Sequence, residues 1–460
     1  MASLFDHIRA ALDEGSGKTV PGPEIRVTGE GSLPSRFDVT GLAATSIAAA
    51  GAEIAQFAAA MGGTPASVEL DRRLASFWFL FSLRPDGWKL PSPWDPIAGD
   101  YRARDGWIRL HTNAPHHRDA ALSVLGVAPD KAAVEAAVAG WDCEALEQAV
   151  VGADGCAAMM RSEADWEAHP QGRAVKAEPL IAWQTRPTAG GQSRHVHAAR
   201  PLQGIRVLDL TRVLAGPVAT RFLAAYGAEV LRIDPPDWDE PGVIPEVTVG
   251  KRCAGLDLER ANDRETFEAL LEGADVLVHG YRPSALSGLG YDVDTLREMR
   301  PDLIDVALCA YGWSGPWSDR RGFDSLVQMS CGIAEAGQRW AGSERPTPLP
   351  VQALDHATGY LMAAAAVRGL RLLHRYGLVG SARLSLARTA DLLCAAAPES
   401  SPATLAPETP EDRATEVEHT EWGPARRLRF PVQIEGTAAH FDSPAVSLRS
   451  SPAAWSARPS

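Results

Sequence analysis

The six residues Leu354 to Gly359 read Leu-Asp-His-Ala-Thr-Gly and lead into an Ala-rich run ending at Leu370. An Asp in that place has two readings. It can cap a helix, for which Asp is a preferred residue. It can also be a nucleophile: the helix dipole favours an anion, backbone N–H groups can stabilise an oxyanion, and an ionised carboxylate attacks a reactive acyl group. The residues alone leave both open for Asp355. A second module of the same kind stands far upstream, where Phe37-Asp38-Val39-Thr40-Gly41 opens another Ala-rich run. Each run is followed by a strand-like phrase, GTPASVELDRRLASF upstream and GSARLSLARTADLL downstream. Setting Gly41 against Gly359 places Thr40 on Thr358 and Phe37 on Asp355, so Asp38 faces His356 instead. One helical position turns a side chain by ~100°. Asp38 is therefore read as a plain N-cap.

Basic residues supply the second clue. Arg212, Lys251, Arg252 and Arg282 each follow or open a strand-like phrase between residues 205 and 310. Charge-assisted hydrogen bonds suit Arg and Lys to phosphate, and successive loops of one sheet would gather them. The dinucleotide fingerprint GxGxxG is absent, the first turn offering only Ala215-Gly216-Pro217. That weighs against nicotinamide chemistry.

These residues need a scaffold. From Pro201 the phrases GIRVLDL, AEVLRID, ADVLVHG and LIDVALCAYG alternate with helical phrases such as VATRFLAAYG and DRETFEALLEG. That alternation predicts an α/β fold, a Rossmann-like doubly wound parallel sheet with its ligand at the C-terminal strand ends. A smaller α/β domain precedes it: YRARDGWIRLHTN predicts a hairpin turning at Asp105-Gly106, followed by short helices of 3.6 periodicity. The expected organisation has six parts. They are an N-terminal segment over 1–96 with helix 38–61 and a strand near 66–72, a small domain over 97–185, a linker over 186–200, a Rossmann-like large domain over 201–399, a flexible Pro/Thr/Glu-rich linker over 400–416 and a closing segment over 417–460.

The 460 residues carry a net charge of −13, with 45% hydrophobic and 22% charged residues. This argues against a nucleic-acid or anionic-membrane surface but not against a polyanionic ligand in a local basic pocket. Six Cys without CxxC or zinc spacing read as a reduced chain with no structural metal. The opening MASLFDHIRAALDEG lacks a basic start and an apolar core, and the Ala-rich 42–61 is interrupted by Thr45, Ser46, Glu53 and Gln56, so a cytoplasmic location is expected.

The phrases PLQGIRVLDLTRVLAGPVATRFLAAYGAEVLRID, GKRCAGLDL, ADVLVHGYRPSALSGLGYD, RPDLIDVALCAYGWSGPW and GFDSLVQMSCGIAEAGQ resemble, in order, the opening half of class III (CaiB/BaiF) CoA-transferases. The resemblance covers roughly 201–395. It implies that Asp355, in the family pattern D-x-x-[ST]-G, is the nucleophile, and that CoA passes between an acyl-CoA thioester and a carboxylic acid through an aspartyl anhydride and thioester. It implies CoA contacts at Val213, Leu214, Lys251, Arg252, Gly280, Tyr281 and Arg282, with CoA and acyl-CoA as substrates and no permanently bound cofactor. A homodimer, interlocked chain through chain, is also implied. Leu214 replaces a polar Gln of formyl-CoA transferase, and Gly280 the Asn of a family phrase. Phe323 in GFD replaces the His of 2-methylacyl-CoA racemases, which argues against racemisation. A CoA-ester isomerase or lyase on the same fold and a degenerate CoA-binding protein are the alternatives. The family order is itself rearranged. Small-domain phrases come before residue 200, so the chain looks like the back half of one copy joined to the front half of a second, and completion within one chain would permit a monomer.

Overall fold

The computed structural model describes residues 3–14, 22–188, 197, 199–397 and 403–457. Six strands form the parallel core of its main sheet: β1 (Arg206–Leu210), β2 (Glu229–Asp234), β3 (Lys251–Gly255), β4 (Val276–His279), β5 (Ile304–Cys309) and β6 (Leu378–Ser385). They lie in the order β3-β2-β1-β4-β5-β6. The sheet order reverses between β1 and β4, and such a switch point is where doubly wound folds bind ligands. Val207 pairs with Val230 on one side and Val276 on the other, so the central strands are buried on both faces. A seventh strand, Ala182–Pro187, pairs antiparallel on β6. Residues 186 and 187 therefore belong to the sheet and not to the predicted linker, most of which lies outside the described residues, and residues 182–185 join this sheet and not the small domain.

Four helices bear on the site: α1 (Val39–Ala60), α2 (Ala215–Ala225), α3 (Asp324–Ser330) and α4 (Ala353–Tyr376). α4 joins β5 to β6 and is buried from Ala353 to Leu373. It approaches α2 closely, since a Cβ on Gly359 would stand 2.4 Å from the Ala215 carbonyl oxygen. α1 is long and apolar enough to cross a membrane by length and composition, but 78% of its most apolar window is buried inside the fold, against α4 among others.

The N-terminal unit repeats the far edge of the main sheet. Strands Ile25–Thr28 and Val68–Asp71 pair in parallel with α1 between them, as β5 and β6 do with α4 between them. Val432–Ile434 pairs antiparallel on Val68–Asp71, as Ala182–Pro187 does on β6. The chain thus exchanges strands with itself. The strand that follows the small domain closes the main sheet, and the strand near the C-terminus closes the N-terminal one. Side chains repeat too. Thr40 bonds Ser76 at 3.0 Å on the helix after its strand, and Thr358 bonds Thr389 at 2.7 Å on the corresponding helix. Gly51 and Gly369 also correspond, and each is pressed against an aliphatic side chain, Val432 and Ile304 respectively.

Under the same offset of 318 residues, Glu53 corresponds to Arg371, and these two meet in a buried ion pair at 3.0 Å. Contact between equivalent positions is what a two-fold axis passing between α1 and α4 produces.

The segment from residue 99 to residue 177 is built on a three-stranded antiparallel sheet. Gly99–Arg102 and Trp107–Leu110 make the hairpin, Ala157–Met159 adds a third strand, and short helices from Pro115 to Ala177 cover it. Residues 403–416 are not a free linker. Glu408 pairs with Arg84 at 2.5 Å and Asp412 with Arg73 at 2.6 Å, strapping this segment to the N-terminal unit.

Candidate active site

A cavity of about 750 Å³ opens beyond the C-terminal ends of β1 and β2. Its walls come from both units of the chain: Leu80 to Ala114 on one side, and the loops after β1 and β2 with α3 and the start of α4 on the other. Asp355 lies on this wall and is 8% exposed. It is not the N-cap that the sequence allowed. Gln352 holds that place, and Asp355 falls in the first helical turn. The cap is supplied from outside the helix. Asp324 Oδ2 accepts the backbone N–H of Leu354 at 2.9 Å and of Asp355 at 3.0 Å. Gln328 Nε2 donates to the other Asp324 oxygen, and its own carbonyl oxygen accepts the Leu349 N–H at 2.7 Å. The Gly-Phe-Asp turn therefore fixes the start of α4 and, with it, the Asp355 backbone.

Two buried carboxyl groups so close shift each other. Burial, then the Asp324 charge, push Asp355 well above the ordinary carboxylate range. Asp324 is pushed up to about 6 by burial, while its three hydrogen bonds pull the other way. Asp324 is therefore the better-stabilised anion, and Asp355 holds the proton longer. The expectation that the helix dipole keeps Asp355 ionised is overridden by its burial. A carboxylate of raised pKa is correspondingly more basic and more nucleophilic once ionised.

The first loop is strained. Val213 has φ of +64°, an outlier for a β-branched residue, and its N–H donates to Glu240 Oε2 at 2.8 Å. Val213 and Leu214 both line the cavity with Asp355. Arg212 stacks between Trp238 and Tyr281, its guanidinium carbon 5.2 Å and 5.4 Å from the two ring centres, and donates to Tyr281 Oη at 3.2 Å. Gly280 is exposed at the end of β4, and Arg282 donates to the Asp319 carbonyl at 3.1 Å.

Two expected contacts are corrected. Lys251 is buried, and its ammonium donates to Asp209 at 3.0 Å, Thr220 at 2.6 Å and the Pro217 carbonyl at 3.1 Å. All three of its donors are engaged inside the fold, so it has none for a phosphate. Arg252 donates to the Ala454 carbonyl at 2.8 Å and Ser456 Oγ at 3.3 Å, and so anchors the closing segment.

Asp38 Oδ1 accepts the Gly41 N–H at 2.7 Å and so caps α1, and Phe37 occupies the place equivalent to Asp355. Sequence reasoning missed Asp324, Gln328, His111 and Glu240. Asp324 had a signal in the GFD turn, but its bonding partners lie some thirty residues on. His111, at the exit of the hairpin, had none.

A strained first loop, a doubly wound sheet and two carboxyl groups on one cavity wall define an α/β protein whose candidate site lies at a helix start. The family profile of CoA-transferase family III matches residues 202–443, more than half of the chain, and the chain belongs to that family. A probable fatty acyl-CoA transferase of Mycobacterium tuberculosis is 34% identical over 191 residues, 38% of this chain and 48% of that protein. The succinyl-CoA:glutarate CoA-transferase of Mus musculus is 31% identical over 210 residues, 42% of this chain and 46% of that protein. The chain spans about a third to a half of the length of the curated relatives it matches. A crystal structure of a CaiB/BaiF family protein from Brucella suis overlays on 49% of this chain and 65% of that one, at 24% identity and a TM-score of 0.38.

Proposed function

We propose that this chain moves CoA from an acyl-CoA thioester to a carboxylic acid through covalent chemistry on Asp355. The observation that carries the reading is the placement of Asp355: on the cavity wall, in the first turn of α4, with its N–H fixed by Asp324. An Asp355 oxygen attacks the thioester carbonyl carbon, the C–S bond breaks and CoA thiolate leaves, giving a mixed anhydride. The thiolate then attacks the Asp355 carbonyl carbon and expels the donor carboxylate, leaving an aspartyl-CoA thioester. An acceptor carboxylate repeats the sequence in reverse and restores Asp355. Val213 and Leu214 border the thioester end, and Arg212, Tyr281 and Arg282 are the groups near the strand ends suited to the CoA phosphates and adenine.

Incubation with labelled acyl-CoA, hydroxylamine or borohydride trapping and peptide mapping tests this. The expected result is an adduct on the Asp355 peptide. A broad acyl-CoA panel that leaves no adduct sinks the reading. Turnover without any acceptor acid would then indicate an isomerase or lyase, and binding without turnover a degenerate CoA-binding protein.

Adduct formation is expected to rise with pH through an apparent pKa that belongs to the pair and lies above the ordinary carboxylate range. Asp324→Asn removes the charge that raises Asp355, so the rising limb is expected to move to lower pH. A rate that stays flat from about pH 5 to about pH 8 would contradict this assignment.

Segments before residue 115 and after residue 212 both wall the cavity, so we infer that the two halves complete one site and that a monomer is active in place of the interlocked homodimer that the resemblance implies. Light scattering is expected to place the active species at 49.1 kDa. Activity confined to a species of twice that mass would overturn the inference.

A further inference from the structure

The end of the cavity formed by the small domain carries an imidazole that no motif predicts. His111 is 5% exposed and lines the cavity. Its ring lies flat on Phe323, with centres 3.8 Å apart and planes 7° from parallel, and Trp94 meets it edge-on at 6.0 Å. Its Nδ1 is 3.5 Å from Ser325 Oγ. Phe323 is followed directly by Asp324, which holds the Asp355 N–H. The imidazole and the nucleophile are therefore fixed by the same dipeptide, whose Cα atoms are ~3.8 Å apart.

The charges around this ring limit what can sit beside it. The two arginines on the cavity wall each have a carboxylate partner: Arg109 pairs with Asp100 at 2.7 Å, although its Nε is buried without a hydrogen-bond partner, and Arg84 pairs with Glu408 at 2.5 Å. Asp95, Asp239, Glu240, Asp324 and Asp355 lie on the same wall. Among the described residues of the wall, a second carboxylate on the acyl group would meet no cation that lacks a carboxylate partner, and it would crowd an acidic pair. Much of the remaining wall is apolar, including Phe81, Trp94, Met329 and Leu349.

We propose that the cavity selects an uncharged acyl group bearing one hydroxyl, hydrogen-bonded by His111, over a dicarboxylic acyl group. The inference rests on the reading of Asp355 as the acyl-accepting residue and names the substrate class of that site. Burial and the nearby Arg109 hold the His111 pKa well below its ordinary value, so the ring is a neutral hydrogen-bonding partner at neutral pH. A neutral ring serves a hydroxyl well and gives a carboxylate no counter-charge.

The test uses butyryl-CoA, 3-hydroxybutyryl-CoA and succinyl-CoA with the full chain. Dissociation constants are measured by calorimetry on Asp355→Asn, and adduct rates by trapping on the native chain. The hydroxyacyl ester is expected to bind on the order of tenfold more tightly than either of the others, the worth of one good buried hydrogen bond. His111→Phe is expected to erase the advantage over butyryl-CoA while leaving butyryl-CoA binding within about twofold, and His111→Gln to restore part of it. Succinyl-CoA binding as tightly as the hydroxyacyl ester would overturn the inference. So would a His111→Phe variant that weakens all three equally, which marks a structural role. Binding in the expected order with no adduct from any ester would leave the selectivity standing and remove the nucleophile.

Discussion

Replacing Asp355 by Asn is expected to lower CoA transfer by at least about 10⁴-fold, the scale seen when a nucleophile is removed. The amide keeps the shape of the carboxyl group, so the α4 start and the Asp324 bonds to the Leu354 and Asp355 N–H groups persist. The same substitution is expected to stabilise the fold at neutral pH. Asp355 has its folded pKa raised by burial and by the Asp324 charge. A carboxyl group of raised folded pKa contributes most below its unfolded pKa of about 4, and that contribution is lost as pH rises towards the folded value. Asn carries no such loss. The variant should therefore melt higher than the native chain at neutral pH, with the difference closing below about pH 4. Dead activity in a more stable protein separates catalysis from misfolding, and it is the pattern expected where a site is held against its own stability. Transfer within about tenfold of native would remove Asp355 from the chemistry.

Lys251→Met is expected to cost about 3–5 kcal/mol of stability, read from urea unfolding. Lys251 and Asp209 are both fully buried side chains, and burial alone would raise the Asp209 pKa. The pull of Lys251 and Arg232, with hydrogen bonds from Thr211 and Thr220, keeps it below the ordinary value instead. Removing the ammonium strands that anion. Pairing the change with Asp209→Asn should recover a large part of the loss, because it is the uncompensated partner that costs most. The folded variant should keep its affinity for CoA. A weakened affinity without a stability change would restore Lys251 to the role that its motif position suggested and that its surroundings deny.

Lys251 also marks where sequence reading stopped. Alternation of apolar runs with 3.6-period segments made β1, β2, β4 and β5 legible, because strands buried on both faces are largely apolar. β3 reads Lys-Arg-Cys-Ala-Gly, and nothing in that composition says strand. Its lysine is buried only because Asp209 and Thr220 stand across from it. Ala182–Pro187 was hidden for the opposite reason: it is a polar edge strand with little burial to impose a pattern. In the site, Asp355 was legible because its motif is local. Asp324 and His111 were not, since one acts on a helix start some thirty residues later and the other meets Phe323 from the small domain. Function of that kind resides in contacts between segments distant in sequence.

The Glu53–Arg371 pair carries a consequence for ancestry and assembly. In two identical chains related by a two-fold axis, a residue on the axis faces its own copy, so glutamate would meet glutamate and arginine would meet arginine. Buried like charges at such a place are untenable. Opposite charges can occupy equivalent positions only when the two halves are free to differ in sequence, as they are within one chain. The same freedom lets Phe37 stand where the other half keeps Asp355. Cut at the junction between the two units, the pieces would carry unlike charges at their shared seam. They are expected to pair with each other in preference to themselves, a matched pair in place of a symmetric one.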